Sequence, residues 1–257
     1  MKMILRSIFV IASKYIKNWI QYRGNLIGIS IYFSSIFFYA IIMNPLLNFE
    51  GLSFTSYVLL SFAIYNMISF SLFMFNIFHA NKEIILTLPI LPWIFALGKM
   101  MGQLTTSILF SSLLILFILL SQRLLITPYV AFLLFISILF SIIFSFGIGF
   151  VMSGIGLRYV SFKYIPSLLQ ILLLFLCGVL SPISMLPHGV KYISYIIPYT
   201  YCIDIIRGLL LDYPTILPFS IEIMLIISLS LMFFVAGKFF LNIIVENVRK
   251  NSLIVLR

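Results

Sequence analysis

Long apolar runs, separated by short polar segments, make up most of this chain. A helix of about 20 apolar residues crosses roughly 30 Å of hydrocarbon. Six windows of that kind are almost free of charge, at residues 25–43, 52–78, 100–122, 129–152, 164–180 and 216–237. Lipid offers no hydrogen-bond partner to an open strand edge, and the runs lack strict alternation. The pattern therefore predicts an all-α integral membrane protein with six membrane-spanning helices.

The basic residues fall mainly in alternate connecting segments. If the N-terminus lies inside, thirteen Lys and Arg side chains are cytoplasmic and only Arg123, Lys191 and Arg207 are outside. Because basic residues near a span resist translocation, both termini are predicted to be cytoplasmic. The expected organisation is an N-terminal segment over 1–24, a six-helix bundle over 25–240 and a cytoplasmic tail over 241–257.

The N-terminal segment has the pattern of an amphipathic helix. Apolar and aromatic side chains recur at helical spacing, at Ile8, Ala12, Tyr15, Trp19 and Tyr22, while basic residues occupy another face. Such a helix lies along the inner membrane surface, with its basic face on anionic head groups. The alternative is an ordinary basic tail before the first span.

The apolar segment 84–98 does not fit as a span. It has only 15 residues, contains Pro89 and Pro92, and as a helix would reach about 22 Å. We expect it at the cytoplasmic interface, with Trp93 and its aliphatic neighbours against lipid or a partner protein.

A second irregular segment follows the fifth span. Pro182 and Pro187 precede a short apolar stretch, 192–203, which Pro198 interrupts. Backbone breaks at membrane depth are tolerated only where protein shields them. The stretch therefore predicts a helical re-entry from the outer face, between spans five and six.

Composition agrees with a membrane protein. Apolar residues make up 63% of the chain and charged residues 9%, and the mean hydropathy is +1.23. This composition is far more apolar than that of soluble globular proteins. The net charge of +10 does not indicate nucleic acid, because the basic residues stand singly at the ends of apolar runs. The two cysteines, Cys177 and Cys202, lack metal or redox spacing and are interpreted as packing thiols.

The chain lacks the residue sets that catalysis requires. No phosphate-binding GxxxxGK[ST] motif occurs, since Gly98-Lys99 and Gly237-Lys238 continue with Met100 and Phe239. The two histidines, His79 and His188, fall on opposite predicted sides, and no two acids pair at one helical turn. We therefore expect no enzyme activity and no cofactor or metal on this chain.

Two charged features near the predicted outer face, Glu222 and the pair Asp204 and Arg207, each have two interpretations. Glu222 lies about six residues inside span six, where a carboxylate costs roughly 2.5 kcal/mol or more. It either lines a substrate path or gate, or is hydrated or paired with Arg207 at the interface. Asp204 and Arg207, three residues apart, predict a local pair that fixes the outer helix or takes part in gating.

In the first predicted cytoplasmic loop, Glu83 precedes a Leu-rich turn, a Thr-Pro-like element at 87–89 and the pair Gly98-Lys99. This order resembles the loop of the permease subunits of type-2 ABC exporters, although the sequence over 82–85 replaces the family's usual Gly-Thr-Leu-Glu. The resemblance implies that this loop is the coupling helix, which docks on the ATPase. The residues concerned are Lys82, Glu83, Ile84, Leu86, Pro89 and Lys99.

The outer segment between spans five and six is similar to the signature of the same family. In that signature a Gly and a Pro end span five, a Leu-Pro precedes a short re-entrant helix, and a Pro-x-Thr-Tyr element leads to an Asp and an Arg. The matching residues here are Gly178, Pro182, Pro187, Pro198, Tyr199, Asp204 and Arg207.

The resemblance implies a subunit of an ATP-driven exporter in the cell membrane that moves an amphipathic or apolar molecule, such as a drug or lipid. It also implies a second permease chain, identical or related, and two ATP-binding subunits that hold ATP and magnesium. Membrane lipid is the other expected partner, and nucleic acid is not expected. The alternatives are an ion-coupled secondary transporter, whose broken helices bind substrate at mid-membrane, and a membrane-embedded enzyme.

The predicted topology can be tested by labelling single cysteines from outside the cell. Asn48→Cys and Thr127→Cys should react with an impermeant maleimide, because both positions fall in predicted outer loops. Ser252→Cys should react only after the membrane is opened. Labelling of position 252 in intact cells would overturn the assignment.

Overall fold

The computed structural model describes residues 2–43, 54–87, 91–122, 127–159 and 164–255, and about 90% of the structure is helical. No strand occurs within these ranges, so the all-α prediction is confirmed. The α-helices are α1 (Lys2–Gln21), α2 (Arg23–Met43), α3 (Phe54–Ile68), α4 (Met74–Ala80), α5 (Lys82–Thr87), α6 (Pro92–Gln122), α7 (Pro128–Arg158), α8 (Ile165–Leu176), α9 (His188–Ile196), α10 (Pro198–Leu211) and α11 (Phe219–Val255). Short 3-10 helices occur at Ser69–Phe73 and Ile183–Met185.

Four helical stretches in the described part of the chain are long and apolar enough to cross a membrane. They are Thr55–Ala80, Pro92–Leu120, Pro128–Arg158 and Phe219–Lys250, at the second, third, fourth and sixth predicted spans. Helices α9 and α10 meet at 93°, as in a broken span or a re-entrant loop, and counting them as one span gives five. The structure thus supports a multi-pass membrane protein, whereas the predicted count of six is not confirmed within the described residues.

The two remaining predicted spans correspond to α2 and α8. Helix α2 has 21 residues and is not among the four stretches, and α8 has only 12. Helix α8 is shorter than its predicted window because Pro166 lies in its first turn and Gly178 follows its end with a φ of +72°. A positive φ interrupts the right-handed helix, and glycine adopts it at little cost.

Helix α1 packs along the first half of α6. An added Cβ at Gly98 would touch Ile11, and one at Gly102 would touch Tyr15, so neither glycine leaves room for a side chain. Farther along, Trp19 meets Phe110 edge-on, with ring centroids 5.7 Å apart. One face of α1 is therefore buried against the bundle. Its placement on a membrane surface stays a prediction.

The segment predicted to lie at the inner interface, 84–98, is divided in the structure. Helix α5 covers its beginning, and α6 starts at Pro92 and includes the remainder. Proline suits the first turn of a helix because that position needs no N–H donor. Pro89 lies outside the described residues. The second half of the segment is thus the start of a long helix.

Helices α7 and α11 form the closest helix pair in the core. A Cβ at Gly147 would lie 2.6 Å from the backbone carbonyl of Phe233, and a Cβ at Gly237 would overlap the carbonyl oxygen of Gly147. The rings of Phe150 and Phe234 pack beside this crossing, with centroids 5.7 Å apart. Small residues let two helix backbones approach, and this contact replaces the hydrophobic driving force that is missing between helices in lipid.

We expect Gly237→Ala to destabilise the α7–α11 contact by about 1–3 kcal/mol, the usual cost of overpacking. The melting temperature of the detergent-solubilised chain should therefore fall. Gly28→Ala is the matched control, since no atom lies within 4 Å of the added Cβ and alanine favours the helix. Equal melting temperatures for Gly237→Ala and wild type would show that this backbone contact is not close.

Candidate functional site

The span Thr55–Ala80 changes from α- to 3-10 geometry at Ser69–Phe73, in its middle. Next to this break, the carbonyl of Ile68 accepts hydrogen bonds from the Ser145 hydroxyl at 2.6 Å and the Tyr199 hydroxyl at 3.0 Å. The two hydroxyl oxygens are 2.9 Å apart. An unsatisfied carbonyl in an apolar interior is costly, so the two side chains stabilise the break and join α3, α7 and α10.

Arg207 is buried in the same core, with 2% of its surface exposed. Its Nε donates to the Ser61 hydroxyl at 2.5 Å, and its Nη2 donates to the carbonyl of Gly178. The guanidinium lies over the ring of Tyr57, 3.7 Å from the centroid. A weakly hydrated, planar cation can be stabilised in this way by backbone dipoles and a ring face.

The carbonyl of Gly178 is a shared acceptor at the end of α8. Besides Arg207, the Tyr57 hydroxyl donates to it at 3.3 Å. A Cβ at Gly178 would lie 2.9 Å from the Ile183 side chain. Both the positive φ and this close approach require glycine. The turn that ends α8 is thus held by α3 and α10 together.

The structure gives Asp204 and Arg207 separate hydrogen-bond partners, although their spacing predicts a local pair. The Asp204 Oδ2 accepts from the backbone N–H of Ile216 at 2.7 Å. Glu222 Oε1 accepts from the next backbone N–H, that of Leu217, at 3.0 Å. The two carboxylates therefore hold consecutive amides of the loop between α10 and α11.

Glu222 is fully buried, with 0% of its surface exposed, which does not agree with the hydrated alternative. Its Oε1 bonds to the loop and, among the described residues, its Oε2 has no hydrogen-bond partner. The hydrogen bond that the structure gives Glu222 is thus to a backbone amide and not to Arg207.

A cavity of about 350 Å³ opens beside these residues, and Asp204 and Arg207 form part of its wall. The cavity is also lined by Tyr57, Lys191 and Tyr213. The ring of Tyr213 meets that of Tyr57 edge-on, 5.3 Å between centroids. The hydrogen-bonded side chains of Asp204 and Arg207 therefore lie next to an open cavity.

Of the predicted signature residues, four meet in this polar core: Gly178, Tyr199, Asp204 and Arg207. The three prolines have structural positions around it. Pro182 lines the cavity and precedes a 3-10 turn, Pro187 is the N-cap of α9, and Pro198 begins α10.

The predicted coupling residues occupy two helices. Lys82, Glu83, Ile84 and Leu86 lie on α5, where Glu83 and Ile84 are exposed and Ile85 is buried. Lys99 lies on α6 and turns toward α1, with its Nζ 5.4 Å from the centroid of the Tyr15 ring.

Sequence reasoning missed the partners that complete the core. Tyr57, Ser61 and Ser145 stand in apolar runs and show no motif, yet each bonds to a residue of the signature or to its backbone. Hydroxyl side chains inside a predicted span are the signal that could have identified them. Cys177 and Cys202 are both buried free thiols, and no group of three metal-ligating side chains occurs among the described residues.

Comparison with known proteins gives one match. A family model described as ABC-2 type transporter matches residues 7–211, from α1 to the end of α10, and so covers most of the chain. The matched region includes α5, the break in the second predicted span and all of the signature segment. A search of curated proteins found none that matches.

The hydrogen bonds to the Ile68 carbonyl predict a non-additive pair of mutations. Ser145→Ala and Tyr199→Phe should each cost about 1 kcal/mol, because the other hydroxyl still satisfies the carbonyl. The double variant should cost about 1 kcal/mol more than the sum, since it leaves the carbonyl unsatisfied. Unfolding in mild detergent measures all four states. Strict additivity would show that the two hydroxyls do not share this acceptor.

Proposed function

Because the chain belongs to the ABC-2 type transporter family, we propose that it is the permease subunit of an exporter for an amphipathic or apolar molecule. Members of this family are membrane components of ABC transporters and are not themselves ATPases. Energy comes from two copies of a separate ATP-binding subunit. A second permease chain, identical or related, completes the transporter in the cell membrane.

The exposed face of α5 is the observation that supports coupling to an ATPase. This helix of six residues connects two long spans, and it presents Glu83 and Ile84 outward. Ile84 is 54% exposed, and Leu91, just before α6, is also 54% exposed. Apolar side chains next to a charge, at the end of a helical bundle, suit the binding of a partner protein.

Helix α5 is attached to the end of α4. The Asn81 side chain donates to the carbonyl of Ile77 at 2.7 Å, and the backbone carbonyl of Asn81 accepts from the N–H of Ile85 at 3.0 Å. The rings of Phe78 and Phe95 meet edge-on at 5.6 Å, which joins α4 to the start of α6. We therefore expect a displacement of α5 to be passed to α4 and, through this ring contact, to α6.

Two long helices exceed the thickness of the hydrocarbon. Helices α6 and α7 have 31 residues each, or about 46 Å, against roughly 30 Å of hydrocarbon. Lys238 of α11 lies over the ring of Trp93, 4.5 Å from its centroid, near the start of α6. We assign this end of the bundle to the cytoplasm, because basic residues are retained there.

Helix α1 fits the inner surface in this orientation. Leu5 and Phe9 form an exposed apolar flank beside the face packed on α6, whereas Lys14 and Lys17 are exposed on another side. An apolar flank with a basic face is typical of a helix at the lipid interface. At the other end of the bundle, we assign the 93° bend between α9 and α10 to a re-entry from the outer face.

The broken span in the described part of the chain does not favour a secondary transporter. That mechanism uses broken helices whose freed carbonyls bind an ion or substrate. The break at Ser69–Phe73 is of a different kind, because hydroxyls of Ser145 and Tyr199 already occupy the carbonyl of Ile68.

Coexpression with a candidate P-loop ATPase, sought in the coding region next to that of this chain, tests the proposal. Ile84→Asp should reduce co-purification of that protein and substrate-stimulated ATP hydrolysis about tenfold, because it places a carboxylate in an apolar contact. Ile84→Val keeps the apolar surface and should behave as wild type. Both variants should melt like wild type, since the side chain is largely exposed.

Full assembly and full hydrolysis in Ile84→Asp would contradict a coupling role for α5. The absence of any P-loop protein that assembles with the wild-type chain would contradict the exporter itself.

A further inference from the structure

A cavity of about 730 Å³ lies between α1 and the rest of the bundle. Side chains from α1, the second predicted span, α6 and α8 line it, and many of them are polar or aromatic, among them Tyr15, Trp19, Asn66, Lys99, Gln103 and Gln170. The transporter proposal assigns no role to this space. Its size is in the range of pockets that bind small molecules.

Lys99 is the charged side chain in the lining, and it is half-buried. Its Nζ lies 5.4 Å from the Tyr15 ring centroid and 5.7 Å from that of Phe95. No carboxylate within the described residues lies within 4.0 Å of it, and Lys14 adds repulsion. Burial raises the pKa of the Tyr15 phenol, which therefore stays neutral. Among the described residues, no carboxylate therefore neutralises the positive charge in the cavity.

Gln103 is a second polar side chain in the lining of this cavity, and its buried Oε1 is an acceptor that a ligand could satisfy. Its side chain is only 8% exposed, and within the described chain its Oε1 has no hydrogen-bond partner. A buried amide oxygen without a donor costs about 1–3 kcal/mol, so a ligand that supplies a donor would recover it. A ligand with both an anion and hydroxyl groups satisfies Lys99 and Gln103 together.

We propose that this cavity binds the phosphate-bearing, hydroxyl-containing head group of an anionic amphiphile, with Lys99 as its charge partner. The inference rests on the proposed function only in placing α1 at the inner leaflet. The apolar flank of α1, with Leu5 and Phe9 exposed, gives acyl chains a surface next to the cavity. Trp19 and Tyr15 supply the aromatic faces that are common at such interfaces.

The two tryptophans allow a direct test in the full-length chain. In a Trp93→Phe background, Trp19 is the only tryptophan of the chain, so its emission can be excited selectively, and it lines the cavity. The protein is placed in nanodiscs that contain phosphatidylglycerol or phosphatidylcholine with brominated acyl chains. Half-maximal quenching of Trp19 should need about fivefold less phosphatidylglycerol, the preference that one lysine near an anionic head group gives.

Lys99→Gln should abolish this preference, whereas Lys17→Gln should keep it. The second variant removes an exposed charge from the same region without touching the lining, so it controls for general surface attraction. Equal quenching by both lipids would overturn the proposal, as would a preference that persists in Lys99→Gln or disappears in Lys17→Gln.

Glycerol 3-phosphate, added to discs of unlabelled phosphatidylcholine, separates the two sources of the same head-group chemistry. We expect no change in Trp19 emission. A saturable change that Lys99→Gln removes would show a site for soluble phosphates and overturn the amphiphile. The assay needs no ATPase, so a negative result would leave the exporter proposal standing, and failed coupling would leave the lipid site standing.

Discussion

The structure depends on matching the polar groups that are buried inside the helical bundle. Arg207 shows this constraint most clearly, because its charge is met by the Gly178 carbonyl, the Ser61 hydroxyl and the face of Tyr57. Each of these partners comes from an element other than the helix that carries the arginine. Since an unmatched group would cost several kcal/mol in lipid, the helices are held in one arrangement by their polar contacts as much as by apolar packing.

Helix α10 is the element through which these contacts meet. Its Tyr199 bonds to α3 and α7, its Arg207 to α3 and the end of α8, and its Asp204 to the loop before α11. This accounts for two irregular features of the fold. The bend before Pro198 leads directly into a buried helix that polar contacts hold in place, and α8 can stop early because Arg207 of α10 bonds to the carbonyl of Gly178 just after its end.

Local information was enough to predict the helical class and the positions of the long spans, because hydropathy over about 20 residues decides membrane crossing. It failed where tertiary contacts decide. The early end of α8 depends on a positive φ at Gly178, and the burial of Glu222 depends on a loop that returns α11 to Asp204. Asp204 and Glu222 lie on different helices, so no spacing rule along one helix could predict that they bond to consecutive amides of one loop. The partners of Arg207 could not be predicted from the sequence for the same reason, since they lie on other elements.

The polar core also bears on the coupling that we propose for α5. A helix break usually makes a span flexible, and a flexible span would absorb a motion of α4 by bending. Here the break after Ile68 is bonded by Ser145 and Tyr199 to α7 and α10. From α10 the contacts continue through Arg207 to the carbonyl of Gly178 and to the cavity that Arg207 lines. If an ATPase binds at α5, as we propose, these bonded elements are the route by which its motion would reach that cavity.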